Sequence, residues 1–336
     1  MKRLNSQSGI SLVEVLVALV ISLFLLGGIV QVYTGNKATF KFTNALAEVQ
    51  ENGRFALDTM TQDLRLAGEW GCIPYDSSDT SNINNALTGA TVAGYDNLLH
   101  DFVGEEAIEG TNNDGLNGSD RITIRGGKPG QANVKSPFTD AGTAEITIAG
   151  NSRIGGNDFI LITRCGANDL LIDEEADIMR VTSSTYDSGN DDTRLTLAGN
   201  KSQRFENDAS VIELQTVTYS IQNSALGNNV PTLIRSEFGN GQELVEGVED
   251  MQILYGVDSD DDQFPNQYFD AGNVGANDWE NVVAIRIMLL LQSFDDFVTE
   301  DAQTYTFNGV QVTPADRRLR QVFTTTIALR NRIGSS

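Results

Sequence analysis

The chain has 336 residues, with 23 Lys+Arg against 46 Asp+Glu and a formal net charge of −23. A surface this acidic disfavours nucleic acid or an anionic bilayer surface as a direct ligand. The length allows one large or two modest domains with a real core, and 32 Gly against 6 Pro point to many loops and tight turns.

The N-terminus opens with a basic leader, Met1–Gly9, carrying Lys2 and Arg3. An apolar run follows from Ile10 to Val32. As a helix it spans roughly 35 Å at about 1.5 Å per residue, enough to cross the hydrocarbon core of a bilayer. One carboxylate, Glu14, interrupts it. A secretory signal peptide explains the leader, but the run is long and no small-x-small cleavage site clearly follows. A plain signal anchor explains length and charge but not Glu14, because an acid in a membrane helix costs up to about 2.5–3.5 kcal/mol if fully inserted.

Gly9 followed by Ile10-Ser11-Leu12-Val13-Glu14 resembles the class III signal of type IV pilins and related pseudopilins. The resemblance implies a prepilin peptidase that cuts after Gly9 on the cytoplasmic side and methylates the amine of Ile10. The apolar helix is then retained. Ile10 stands where the family usually has an aromatic residue. Without Lys2 and Arg3 the 23 cationic residues become 21 against 46 acids, a side-chain balance of −25. Glu14, now the fifth residue, is expected to pair with the free amine of a neighbouring helix. Each charge is costly when buried alone and tolerable in the pair, so Glu14 would favour one register between subunits. The alternative is a solvated Glu14 at headgroup depth.

From Asn36 the pattern turns amphipathic. Leu46, Val49, Gly53, Ala56, Met60 and Leu64 recur at helical spacing. Lys41, Glu48, Glu51, Asp58 and Asp63 fall mostly off that stripe. One helix is expected over 10–67, with 10–32 as membrane span or filament core and 33–67 as an amphipathic half. Gly27, Gly28 and Gly35 are soft points, and Gly68 is the expected C-cap. Glu69–Gly118 reads as long loops with one short helix. The only histidine, His100, lies there and reads as a surface residue.

The remainder of 68–336 reads as one antiparallel, loop-rich head. Arg121–Arg125, Glu145–Ile148 and Asp158–Thr163 are expected strands. Ile178–Thr182 and Thr193–Leu197 form an expected hairpin, and Val211–Ser220 is expected to pair with Thr232–Ser236. Further strands are expected around Met251–Val257, Val282–Leu291, Tyr305–Phe307 and Val322–Leu329. Val282–Leu291 is the most apolar of these and therefore a central strand.

The two cysteines, Cys72 and Cys165, follow an export-type signal. An oxidising compartment favours one disulfide between them, worth on the order of 4–5 kcal/mol in the chain-entropy account. Two independent buried thiols are the alternative.

Several stretches resemble the PilW family of minor type IV pilins. They are Met60–Cys72, Leu244–Val257, Val282–Ser293 and Arg317–Arg332. The resemblance implies an α+β, type IV pilin-like fold, with a long N-terminal helix on a β-rich periplasmic head. It implies a low-abundance subunit that joins other minor pilins and the major pilin in a priming or tip complex. Prepilin peptidase and the inner-membrane assembly platform would be further partners. Such a subunit starts in the inner membrane with a single span and then passes to the pilus, where it supports twitching motility and adhesion, without catalysis. The alternatives are a type II secretion pseudopilin and a membrane-anchored adhesin or binding module. The segment from Ser77 to Asp208 carries no resemblance.

Asp258, Asp260 and Asp262 match positions one, three and five of a calcium loop, but Gln263 replaces the expected glycine and Phe269 the closing Glu. A weak calcium site and a solvated acidic turn are both compatible with that half-motif. No other cofactor is expected. Arg317, Arg318, Arg320, Arg330 and Arg332 form a basic C-terminal cluster, either neutralising the head or meeting an acidic neighbour.

Overall fold

The computed structural model describes residues 11–71, 83–85, 107–164, 176–227, 229–275 and 278–332. One helix, α1 (Leu12–Leu64), runs for 53 residues, about 80 Å at 1.5 Å per residue. It passes through Gly27, Gly28 and Gly35 without a break. No Cβ would meet a neighbour at these three positions, so they need not be glycine for packing. The expected C-cap is corrected. The helix ends at Arg65 in the αR conformation, and Gly68 takes its positive φ of 71° one turn later.

The strands follow in chain order: β1 (Ile83–Asn85), β2 (Ile108–Thr111), β3 (Arg121–Gly127), β4 (Ala132–Asn133), β5 (Glu145–Ala149), β6 (Phe159–Arg164), β7 (Ala176–Asp187) and β8 (Asp192–Leu197). Then come β9 (Ala209–Asn223), β10 (Pro231–Glu237), β11 (Asn240–Glu246), β12 (Val248–Val257), β13 (Gln267–Phe269), β14 (Val282–Gln292), β15 (Tyr305–Phe307), β16 (Val310–Val312) and β17 (Arg320–Ala328). The expected strands are all present, and β7–β8 and β9–β10 pair as antiparallel hairpins. The strand expected around Met251–Val257 is β12, and Gly247 at φ 83° separates it from β11.

Among the described residues the strands form two main sheets and a small hairpin. The larger runs β11-β10-β9-β6-β7-β8-β5, with β3 along the second half of β9. The smaller runs β13-β12-β14-β17, which places the apolar β14 inside it as expected. The pairing is antiparallel except for β1 on β7. Strand β9 is the hinge of the layout, pairing β6 over 209–213 and β10 over 217–223.

The largest core is shared by α1 and both sheets. Val49, Ala56, Met60 and Leu64 of the helix meet Ile122, Tyr219, Leu233, Ile253, Ile285 and Ile287. The period-3.6 stripe and the period-2 strands therefore bury against each other. The segment between 134 and 211 builds a second core of its own around Ile148, Ile160, Met179 and Val211.

The exit of α1 is stitched to β3. Gly68 N donates to Arg125 O at 3.0 Å, and Gly127 N donates to Glu69 O at 2.8 Å. Gly126 lies between these bonds, and a Cβ there would sit 2.1 Å from the Leu66 carbonyl oxygen. That neighbour is backbone and cannot swing away. Gly126→Ala should therefore destabilise the chain by about 1–3 kcal/mol through overpacking, read as a lower urea midpoint at unchanged slope.

Candidate functional site

The site is the helix itself, divided into an uncovered half and a seated half. From Leu12 to Val32 the side chains are exposed, among them Leu12, Leu16, Phe24, Leu25 and Ile29. None of the most apolar stretch is buried by this chain. Alone in water, such a surface would cost about 25 cal/mol per Å² of apolar area, so it must be covered by lipid or by other helices.

Glu14 begins that half. Its Oε2 accepts from Ser11 N at 2.9 Å, while Glu14 N donates to Ser11 Oγ at 3.2 Å. This is a capping box, which satisfies two of the helix's free N-terminal donors. The Ser-x-x-Glu spacing was legible in the sequence, yet the reading there used only the acid. Ala18 and Ser22 lie one and two turns beyond Glu14, and with Val15 and Leu19 they line a shallow groove along that face. Ser22 Oγ turns back to Ala18 O at 2.7 Å, so the face is small and presents little polar surface. Small residues let a second helix approach closely. Gly9 and Ile10 lie outside the described residues.

The seated half ends in a polar lock. Asp63, expected off the buried stripe, is instead turned into the head, and this corrects the sequence reading. Tyr219 Oη donates to Asp63 Oδ2 at 2.5 Å, and Arg235 Nε and Nη2 donate to Oδ2 and Oδ1 at 2.7 and 3.2 Å. Burial, with the Asp63 carboxylate against it, pushes the Tyr219 hydroxyl far above the ordinary phenol range. The chain of charges continues from Arg235 to Glu237, then to Lys128 and Glu213. Burial raises Glu213, whereas Glu237 is held below its ordinary value, since hydrogen bonds from Lys128 and Arg235 outweigh its own desolvation. No sequence signal could have found this group, because Asp63 is 156 residues from Tyr219 and 172 from Arg235.

The half-motif at Asp258, Asp260 and Asp262 is brought together, with one oxygen from each within 4.8 Å of the others. Asp258 Oδ1 and Oδ2 accept from Asp260 N at 3.2 Å and Gln263 N at 2.7 Å, and Asp262 Oδ1 accepts from Phe264 N at 2.9 Å. These bonds hold the turn between β12 and β13. Although Asp258 is desolvated, the backbone donors win and keep its carboxyl below the usual range.

Cys72 and Cys165 lie outside the described residues. Their described neighbours are close: a Cβ on Gly71 would fall 2.9 Å from Thr163 Cγ2. The basic C-terminal cluster is largely spent within the chain. Arg320 binds Glu249 and Asp316, Arg318 donates to the Ser293 and Phe294 carbonyls, and Arg317 stacks on Phe297.

Comparison with family models gives two matches. Residues 4–30 match the prokaryotic N-terminal methylation motif, and residues 218–331 match the type IV pilus-assembly protein W model. The chain carries a PilW domain. Both matched models describe type IV pilus-related proteins, and the N-terminal motif with its apolar helix fits a membrane-anchored pilin. The PilW segment runs from the middle of β9 to the C-terminal turn, so it contains β10, β12, β14 and β17, the strands that seat α1. No curated protein and no solved structure significantly matches the chain.

The seat gives a direct test. Asp63→Asn removes the closer of the two charge partners of Arg235 in a mostly buried place, leaving Glu237 at 3.3 Å. Breaking a pair of this kind costs about 3–5 kcal/mol when fully buried, and the partial exposure of Arg235 lowers that to about 2–4 kcal/mol. The urea midpoint of the full chain in detergent should fall accordingly, and Asp58→Asn on the same helix should leave it unchanged.

Proposed function

We propose that this chain is a minor pilin of the type IV pilus, entering a priming or tip complex with other minor pilins and the major pilin, in support of twitching motility and adhesion. One observation carries the reading. A single unbroken helix offers an uncovered apolar half, while its other half is locked into a head of its own. That division suits a subunit whose helices pack with those of other subunits. The work is assembly and involves no reaction.

In this reading prepilin peptidase cuts after Gly9 and methylates Ile10, the head lies in the periplasm, and the assembly platform lifts the subunit into the pilus. Glu14 keeps its helix cap in the membrane and meets a neighbour's N-terminal amine in the filament. The small face made by Ala18 and Ser22 supports that approach. Calcium is kept as a secondary reading of the Asp258–Asp262 turn, carried by the convergence of its carboxylates within 4.8 Å.

Mass spectrometry of the protein from its native membrane should find a chain starting at methylated Ile10. Glu14→Ala should remove the protein from sheared pili and cut piliation strongly while the anchored protein persists. A simple anchored adhesin would show no such loss.

We also propose the Cys72–Cys165 disulfide, supported by the packing of Gly71 against Thr163. Blocking free thiols under denaturing, non-reducing conditions should label neither cysteine, and reduction should expose both. Cys72→Ser should lower stability by up to about 4–5 kcal/mol.

A further inference from the structure

Where the exposed half of α1 meets the head, a collar of aromatic and charged side chains lies along one face of the helix, with Lys41 paired to Asp295 at 3.6 Å. The loop after β14 is tied to the helix there: Lys41 Nζ donates to Asp296 O at 2.7 Å. Val298 packs with Ala45, Leu46 and Leu319 just above. Between helix and loop lies a groove of about 580 Å³, lined in part by Lys37, Phe40, Lys41 and Phe294.

Phe297 is the unusual residue of this loop. Its φ is +57°, a left-handed conformation that a bulky side chain rarely adopts and that is strained. The strain places an aromatic ring in the open, 62% exposed, with the Arg317 guanidinium 4.2 Å from its centre. The conformation is enforced from below, since the Asp296 carboxylate accepts from both Phe297 N at 2.6 Å and Arg317 N at 2.8 Å.

The helix fixes the height of the collar. Phe40 is eight residues past Val32, about 12 Å along the axis, and helical side chains lean back toward the N-terminus. The headgroup layer adds roughly 5–8 Å to each side of the hydrocarbon, and spans tilt by about 20°. Lys37, five residues past Val32 or about 7.5 Å, thus falls within the headgroup layer, and the Phe40 ring leans back toward it, in the zone where aromatic rings and the stems of Lys and Arg are favoured.

We propose that this collar is a lipid-interface seat: before assembly, Phe297 and Phe294, with Phe40, Lys37 and Arg317, rest the head on the leaflet beside the span. The inference rests on the membrane-anchored reading of α1. It deepens that reading by giving the head a fixed posture over the bilayer, with the span emerging from beneath it.

Tryptophan reporters test this in the full-length chain reconstituted in phosphatidylcholine vesicles. Wild-type emission from Trp70 and Trp279 is subtracted from each variant. For Phe297→Trp, lipids brominated near the carbonyl end of the acyl chain should at least halve the added emission, and acrylamide should quench it little. Phe264→Trp, on the turn at the far end of β12, should behave oppositely. Phe24→Trp in the span should be quenched by lipids brominated near the chain ends. If Phe24→Trp is not quenched, the anchored reading itself falls. If Phe24→Trp is quenched while Phe297→Trp stays open to acrylamide and untouched by bromolipid, the lipid seat alone is overturned and the groove is left to a protein partner. Phe294→Trp repeats the measurement should the Phe297 variant lose its fold by circular dichroism, and it carries the same two outcomes.

Discussion

The structure depends on one unequal helix. Its C-terminal half buries Val49, Ala56, Met60 and Leu64 in a core shared with both sheets, while its N-terminal half finds no cover in its own chain. A rod about 80 Å long cannot be folded back by a head of this size without bending, and α1 does not bend. Cover for the exposed half must come from lipid or from other helices. The rest of the molecule orients that half.

Orientation comes from four attachments of different chemistry. At the top, backbone hydrogen bonds between the helix exit and β3 fix the end of the rod. Beside them, Asp63 pairs with Arg235 and Tyr219, and a misplaced helix would strand a charge. In the middle, Gly53 opens a notch that the Phe323 ring of β17 fills. Lower down, Lys41 holds the loop that carries Phe297. Apolar burial supplies the drive, and these attachments choose a single register and rotation. The face bearing Glu14 is thereby aimed in a fixed direction relative to the head.

Part of the segment outside both family matches also has a clear place in the fold. Residues between 134 and 211 form a second core on the extension of the larger sheet, away from the helix. The PilW match begins at residue 218, where β9 leaves that core and enters the one that holds α1. The family signal therefore follows the helix seat. Among the described residues that core contains no side chain of the rod.

The sequence determined the rod, its apolar half, Glu14 and most strands, because each follows from local periodicity or from residues a few positions apart. It also contained the Ser11–Glu14 cap, in a spacing only three residues wide. Tertiary structure alone decided that Asp63 points inward, that Gly126 must stay bare, that Gly247 separates β11 from β12, and that Phe297 is held outward under Arg317. Each of these is settled by groups far away in the chain or by a backbone angle, and periodicity carries no record of either.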